Sequence, residues 1–224
     1  MKPMTEEHLA ILRRHMVEVI DMHFDLAADE IGKARPAERV RAAMTTVPRH
    51  LFVPPQYVIA CYQDTPLPIG FDKTISQPFI GALMLDLLEL GAGQTVLEVG
   101  TGLGYQSAVM AAMGAAVWSV EIVEEFAQAA RLRLAELDHE VEIRVGDGSR
   151  GWSDHAPFDR ILVTAAAREP PPALLDQLAP GGRIVLPLGG DDVQRLSVVT
   201  RGPDGEPAIR PVLPVRFTQL ETMG

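Results

Sequence analysis

Apolar positions along the chain repeat with two different periods, and the change between them divides the sequence. Near the start, apolar residues three or four apart predict an amphipathic helix from Glu6 to about Ala28. Its apolar stripe consists of Leu9, Leu12, Met16, Val19 and Ile20. Beyond residue 95, short apolar runs alternate with amphipathic ones, which is typical of strands alternating with helices.

Prolines mark the boundaries in the region between these two patterns. A second helix is predicted from about Pro36 to Met44, and Pro48 is expected to end it because proline cannot continue the hydrogen-bond ladder. The proline-rich residues 54–73 are expected to be irregular and extended. After Pro78, a helix is predicted to run to Leu90.

The second half of the chain predicts a mainly parallel sheet with helices on both faces. Strands are expected at residues 95–99, 116–120, 142–145, 160–164 and 183–187, with helices at 106–113, 124–137 and 173–178. Two further strands at 196–200 and 215–220, joined by the Pro/Gly-rich residues 201–207, predict a C-terminal antiparallel hairpin. The expected fold class is therefore α/β, doubly wound and Rossmann-like, with an N-terminal helical extension.

We expect one compact unit with two parts. Residues 1–78 form the helical and loop extension that covers the active site, and residues 79–224 form the ligand-binding core. The chain has 224 residues, of which 47% are hydrophobic, so it is long enough to bury a core. Its net charge of −10 disfavours nucleic acid and anionic membranes as partners.

Cysteine usage and the N-terminal sequence bear on location. Cys61 is the only cysteine, so the chain can form no internal disulfide and no thiolate metal cluster. Charged residues interrupt the apolar positions of the N-terminus, and no apolar run approaches the length of a membrane span. A cytoplasmic location is expected.

A glycine-rich turn directly follows the strand predicted at 95–99. Gly100 and Gly102 let the backbone pass close to a ligand at the carboxyl end of the sheet, where open α/β folds bind ligands. Dinucleotide enzymes require a glycine or alanine where Tyr105 stands, and the third glycine arrives one place early, at Gly104. A nicotinamide oxidoreductase is therefore a weak alternative.

Acidic residues end the next two predicted strands. Glu121 lies about 20 residues beyond the glycine loop, where a carboxylate can accept hydrogen bonds from both ribose hydroxyls. Asp147 follows the third strand, within reach of an exocyclic amine at the same edge. Either carboxylate alone could be a solvated loop residue or a helix cap. Their order after successive strands favours an adenosine pocket.

Other chemistries find no support in the sequence. The six histidines form no H-E-x-x-H pair and no metal-like spacing with cysteine, so no metal is expected. Asp147 stands where a serine hydrolase needs the first glycine of G-x-S-x-G around Ser149. A G-x-x-x-x-G-K-[ST] nucleotide-triphosphate loop is absent as well.

Several segments resemble the protein-L-isoaspartate O-methyltransferases, from Val47 to about Leu188. The most specific are Tyr62-Gln-Asp-Thr-Pro-Leu-Pro-Ile-Gly70 and Thr74-Ile-Ser-Gln-Pro78, which generic methyltransferases do not share. The resemblance implies transfer of a methyl group from S-adenosyl-L-methionine, leaving S-adenosyl-L-homocysteine, to the free α-carboxylate of L-isoaspartyl residues. The ester then closes to a succinimide, whose hydrolysis repairs damaged proteins and peptides. Oligomeric state stays open.

The resemblance also carries roles to individual residues. Ser76 corresponds to the active-site serine, which could also cap the helix after Pro78. Cofactor contacts carried over are Thr74, Ile75, Ser76, Gly100, Thr101, Gly102, Glu121, Ile122, Asp147 and Gly148. Substrate contacts carried over are Ile69, Gly70, Thr164 and Ala165.

Three departures from the family pattern keep other readings open. Leu103 replaces a small residue, the region before Pro36 is longer than usual, and Phe217-Thr-Gln-Leu220 replaces the common Phe-Val-Pro-Leu. The altered C-terminus motivates one alternative, a carboxyl methyltransferase with a dedicated peptide or small-molecule acceptor. A non-catalytic S-adenosylmethionine-binding adaptor is another, although an intact Ser76 disfavours it.

Overall fold

Three helices open the structure, a computed structural model that describes residues 4–202 and 206–223. Helix α1 (Glu6–Leu26) and the short α2 (Ala28–Ile31) confirm the predicted N-terminal helix, and α3 (Glu38–Thr46) follows. The buried residues of α1 are Leu9, Met16, Val17, Ile20 and Phe24. The predicted stripe is thus largely correct, although Leu12 and Val19 are only half-buried. Helix α3 starts later than predicted because Ala37 is its N-cap.

The prediction of an irregular stretch at 54–73 was wrong in detail. Short 3₁₀ helices at Pro55–Tyr57 and Ala60–Tyr62 follow another at Arg49–Phe52. Strands β1 (Leu67–Gly70) and β2 (Lys73–Ile75) then form an antiparallel hairpin. Its turn places Phe71 at φ 49° and Asp72 at φ 55°, a left-handed conformation usually taken by glycine or asparagine.

A seven-stranded sheet forms the centre of the molecule, in the order β5-β4-β3-β6-β7-β8-β9. Its strands are β3 (Thr95–Val99), β4 (Ala116–Glu121), β5 (Val141–Val145), β6 (Phe158–Val163), β7 (Leu178–Gly189), β8 (Gln194–Arg201) and β9 (Pro207–Val215). The helices between them are α4 (Pro78–Leu88), α5 (Tyr105–Ala112), α6 (Glu124–Glu136) and α7 (Pro172–Asp176). Strands β3 to β7 are parallel, and β8 and β9 pair antiparallel, which confirms the predicted fold class.

Two predicted elements near the C-terminus are corrected. Helix α7 ends at Asp176 because the chain turns into β7, where Leu178 already pairs with Phe158. The strand predicted at 215–220 lies instead at Pro207–Val215, and residues 203–205 of the predicted connection lie outside the described residues. Prolines are tolerated in β9 because it is an edge strand, with β8 as its one partner strand within the described part of the chain.

Buried side chains fill both faces of the sheet. Val96 joins the larger cluster, which also contains the N-terminal helices, α4 and α5. Leu97 and Val99 point the other way, into a smaller cluster with Phe158 and Leu174. Because β3, β4 and β5 are parallel neighbours, they end at the same edge of the sheet, and the loops that follow them meet there.

Within the described residues, none of the helices has both the length and the apolar character needed to cross a bilayer.

Candidate active site

The glycine loop after β3 is held against both neighbouring strands. The Gly100 amide donates to the carbonyl of Val120 at 2.8 Å, and the Gly100 carbonyl accepts from Thr164 Oγ1 at 2.8 Å. Gly100 has φ +93°, and a Cβ built there would lie 2.3 Å from Thr164 Oγ1. The loop can therefore take this path only without a side chain at Gly100.

Glu121, the last residue of β4, braces the other end of the loop. Its Oε2 accepts from the Gly102 amide at 2.7 Å, and its Oε1 accepts from the Val123 amide at 2.9 Å. The side chain is buried beside the cavity. Each carboxylate oxygen can accept more than one hydrogen bond, so Glu121 has capacity for two hydroxyl donors as well.

A polar network lies beneath the loop. Thr101 Oγ1 and Ser119 Oγ are 2.6 Å apart, and Ser119 Oγ donates to Glu98 Oε2 at 2.6 Å. Ser107 donates to the same oxygen, while Glu98 Oε1 has no hydrogen-bond partner among the described residues. Full burial raises the pKa of Glu98 to about 7, against the opposing effect of the two serine donors.

Glu98 makes stability depend on pH with a definite sign. Because its pKa is higher in the folded chain than in the unfolded one, the ionisation of Glu98 costs the folded state nothing at low pH. The cost grows as pH rises from about 4.5 to about 7, reaching about 3 kcal/mol. Removing this charge with Glu98→Gln should therefore favour the variant at alkaline pH.

Urea unfolding at pH 5 and pH 8 measures this effect. The stability of Glu98→Gln relative to the unmodified chain should rise by about 2 kcal/mol between the two conditions. Exposed Glu140 provides the matched control, since Glu140→Gln should show no comparable change. An equal stability difference at both pH values would show that folding does not raise the pKa of Glu98.

The Asp147 carboxylate accepts three hydrogen bonds from within the chain, which the sequence did not predict. Its Oδ1 accepts from the amide and hydroxyl of Ser149 at 2.9 and 2.6 Å, and its Oδ2 accepts from the Met223 amide at 3.1 Å. Burial alone would raise the pKa of Asp147, but these hydrogen bonds outweigh it and lower the pKa. The C-terminal tail, residues 216–223, thus reaches the end of β5.

The segment carrying Ser76 lies between β2 and α4 and is fixed from behind by Arg49. Arg49 is buried and donates to the carbonyl of Ser76 at 2.6 Å and to that of Cys61 at 2.8 Å. Its guanidinium carbon lies 4.8 Å from the centre of the Tyr105 ring. The N-cap of α4 is Gln77, so the capping role considered for Ser76 is not what the structure shows.

One cavity of about 950 Å³ brings most of the predicted residues together. It is lined by Ile69, Thr74, Ile75, Ser76, Gly100, Thr101, Gly102, Glu121, Ile122, Gly148, Thr164 and Ala165. Gly70 and Asp147 do not line it. Gly70 sits at the hairpin turn, and the Asp147 carboxylate is turned to Ser149 and the tail.

The same cavity has a wall that sequence reasoning missed. Residues 214–221, which are the end of β9 and most of the tail, line it, and two lining residues, Lys73 of β2 and Glu221, form an ion pair. The partial resemblance of Phe217–Leu220 to the family pattern indicated that this segment has a role, but no local sequence pattern predicts that it lies over the sheet edge. Among the described residues, no group of three or more His, Cys, Asp or Glu side chains is arranged to hold a metal.

Comparison with known proteins decides which family this site belongs to. The sequence profile of the family described as Protein-L-isoaspartate(D-aspartate) O-methyltransferase (PCMT) matches residues 26–223. The chain belongs to this family. A protein-L-isoaspartate O-methyltransferase 1 from a Polaromonas species is 48% identical over 219 residues, covering 97% of this chain and 93% of that protein.

Further relatives agree with the family assignment. A protein-L-isoaspartate O-methyltransferase from Anaeromyxobacter dehalogenans is 54% identical over 185 residues, covering 81% of this chain and 88% of that protein. A crystal structure of a Plasmodium falciparum PCMT in complex with S-adenosyl-L-homocysteine superposes with a TM-score of 0.77. That structure is 23% identical and covers 94% of this chain and 99% of its own, so it supports the PCMT fold.

Proposed function

We propose that the protein transfers a methyl group from S-adenosyl-L-methionine to the free α-carboxylate of L-isoaspartyl residues in damaged proteins and peptides. The observation that carries this proposal is the family match, which spans the whole cavity-forming part of the chain. The cavity supports it further, because Ser76 and the glycine loop line the same space.

The residues around the cavity fit S-adenosyl-L-methionine. Gly100 and Gly102 leave room for backbone approach, and buried Glu121 offers carboxylate oxygens suited to ribose hydroxyls. The Asp147 carboxylate is already hydrogen-bonded, so a contact to an exocyclic amine would use its remaining acceptor capacity or replace the Met223 amide. When bound, the cofactor would supply an electrophilic methyl group.

The acceptor needs positioning more than activation. An α-carboxyl group has a pKa of about 3.5, so at neutral pH the acceptor is already ionised and needs no general base. The chain's contribution is to hold the carboxylate oxygen in place and to exclude water, an effect that can supply about 7 to 11 kcal/mol. Ser76 donates a hydrogen bond to the carboxylate or the cofactor in this proposal. Ile69, Thr164 and Ala165 flank the acceptor, and Gly70 supports Ile69 from the adjoining hairpin turn.

Ser76→Ala tests the proposed role of this serine. We expect kcat to fall about tenfold because a positioning hydrogen bond is lost, while the Kd for S-adenosyl-L-homocysteine changes by less than about threefold. Steady-state kinetics and calorimetry measure the two quantities. Ser153→Ala, at an exposed hydroxyl residue that does not line the cavity, serves as the control. An unchanged kcat would remove Ser76 from the catalytic account.

A panel of unrelated isoaspartyl peptides separates repair from a dedicated acceptor. A repair enzyme should methylate most members of the panel, since damaged sites occur in many sequence contexts. Methyl esters that decay to succinimide, followed by mass spectrometry, would identify the α-carboxylate as the acceptor. Activity on one peptide alone would favour the dedicated-acceptor alternative.

The remaining parts of the proposal concern organisation and location. Residues 1–78 cover the active site, and residues 79–224 bind the cofactor. Damaged proteins and peptides are the partners, and the compartment is the cytoplasm. The buried lone thiol of Cys61 is compatible with a reducing compartment, and fractionation of cells followed by immunoblotting tests the location.

A further inference from the structure

Helix α1 contacts the Ser76 segment through a chain of three side chains. Nδ1 of His23 lies 2.6 Å from Oδ2 of Asp64. The same Asp64 oxygen accepts from Gln77 Nε2 at 2.7 Å, and Asp64 Oδ1 accepts from the Phe79 amide at 2.7 Å. Gln77 follows Ser76 directly and lines the cavity. An acidic side chain therefore links α1 to the residue next to the proposed catalytic serine.

We propose that His23 is a positioning residue for methyl transfer, acting through Asp64 on the Ser76–Gln77 segment. This role rests on the proposed function, in which Ser76 orients the acceptor carboxylate or the cofactor. His23 lies before residue 26, where the family match begins, so the family assignment does not supply the role.

Among the described residues, His23 is the basic side chain that forms an ion pair with Asp64. The Asp64 side chain is only 7% exposed, and its hydrogen-bond donors, Gln77 Nε2 and the Phe79 amide, are neutral. A buried carboxylate is strongly stabilised by a donor that carries charge or shares a proton. Nδ1 of His23 makes no hydrogen bond of regular geometry within the described residues, so its contact with Asp64 is a close ion pair that is attractive when the imidazole is protonated.

The rest of α1 gives His23 a fixed position. Met16, Ile20 and Phe24 are buried in the main core, so the helix cannot shift independently of it. The rings of His23 and Phe24 both pack edge-on against Phe79, with centroid separations of 5.3 and 5.7 Å. The contact with His23 therefore ties Asp64 to a rigid helix, and Asp64 in turn holds the Gln77 side chain and the first turn of α4 through its hydrogen bonds.

Gln77 connects Asp64 to the cavity, because its side chain binds Asp64 and it is one of the lining residues. As the N-cap residue of α4 it makes no capping hydrogen bond with its own side chain. The side chain is instead held by Asp64, while Arg49 holds the Ser76 carbonyl from the other side. Loss of the His23 contact should loosen Asp64 and let the Ser76 hydroxyl move from its productive position, which reduces kcat more than cofactor binding.

Two substitutions at residue 23 separate positioning from packing. His23→Phe keeps an aromatic ring against Phe79 and removes the nitrogen that contacts Asp64. His23→Asn removes the ring and retains a donor near the place of Nδ1. His15 lies exposed on the same helix, with a recorded ion pair to Glu18 alone, and His15→Phe is the matched control.

The measurements are kcat and KM on an isoaspartyl peptide, the Kd for S-adenosyl-L-homocysteine, Tm, and hydrogen exchange of the peptide covering residues 74–81. For His23→Phe, assayed well below its Tm, we expect kcat to fall about tenfold with Kd nearly unchanged, and exchange in 74–81 to accelerate. His23→Asn should recover most of kcat, and His15→Phe should match the unmodified chain.

Two results would overturn the positioning role. One is an unchanged kcat and exchange rate in His23→Phe. The other is a loss of kcat that follows Tm in both variants, with no recovery in His23→Asn, which would make the contact structural. If the unmodified protein methylates no isoaspartyl peptide, the proposed function fails. Hydrogen exchange in 74–81 then still decides whether His23 positions this segment.

Discussion

Gly100→Ala should abolish measurable cofactor binding, with a Kd for S-adenosyl-L-homocysteine raised more than about hundredfold, and should lower stability by about 3 kcal/mol. The added Cβ would lie 2.3 Å from Thr164 Oγ1, at a φ of +93° that alanine rarely adopts. The loop must therefore move away from β6, and the backbone that approaches the cofactor moves with it. Calorimetric titration and urea unfolding measure the two effects.

Two further variants divide this effect into its causes. Gly93 also has a positive φ, +76°, but nothing lies within 4 Å of its Cβ position, so Gly93→Ala should show conformational strain alone, about 1 kcal/mol. The double substitution Gly100→Ala with Thr164→Ala removes the colliding hydroxyl and should recover part of the stability and binding. If Gly100→Ala binds S-adenosyl-L-homocysteine normally, the glycine loop is not the cofactor site.

Glu121→Ala should weaken S-adenosyl-L-homocysteine binding about hundredfold. The expected loss combines two charge-assisted hydrogen bonds to ribose, each contributing about 1.5 kcal/mol, which together correspond to that factor. Glu121 also holds the Gly102 and Val123 amides, so some loosening of the loop adds to the effect. Glu121→Gln retains one acceptor oxygen and should lose less affinity.

The exposed Glu125 in the first turn of α6 supplies the control for Glu121. Glu125→Gln removes the same charge four residues away and should leave the Kd unchanged. Titration of each variant with S-adenosyl-L-homocysteine, and separately with its inosine-containing and 2′-deoxy analogues, shows which ligand contact is lost. If Glu121→Ala weakens the parent ligand and the 2′-deoxy analogue equally, Glu121 makes no contact with the 2′-hydroxyl.

The parallel strands were predictable because each is a short apolar run bounded by turn residues. Strand β3 was predicted with its observed bounds, Thr95–Val99, since buried parallel strands read as continuous hydrophobic segments. The same alternation of strands and helices predicted its glycine loop and the acidic residue that ends β4. Local sequence thus located the half of the cavity that the strand ends form.

The hairpin and the edge strand escaped prediction for local reasons. Phe71 and Asp72 adopt left-handed conformations that their residue types rarely take, so the β1–β2 turn carries no Asn-Gly signal. Three prolines in β9, at positions 207, 211 and 214, argue against a strand unless its edge position is known. Edge position depends on the pairing of all seven strands, which local pattern does not give.

The other half of the cavity depends on contacts distant in sequence. Lys73 meets Glu221, and Asp147 meets Met223, through folding of the whole chain. Resemblance carried Asp147 and Gly70 into the cofactor and substrate sets, but it could not show that Asp147 is turned towards Ser149 and the tail. Nor could it show His23 beside Asp64, since that contact depends on how α1 packs against a segment distant in sequence.

Methyl transfer from labelled S-adenosyl-L-methionine to a short isoaspartyl peptide, beside the same peptide with normal aspartate, tests the proposed function most directly. Proposed repair activity predicts label on the isoaspartyl peptide alone, in a base-labile ester. Equal label on both peptides, or label on neither while S-adenosyl-L-homocysteine still binds, would contradict it.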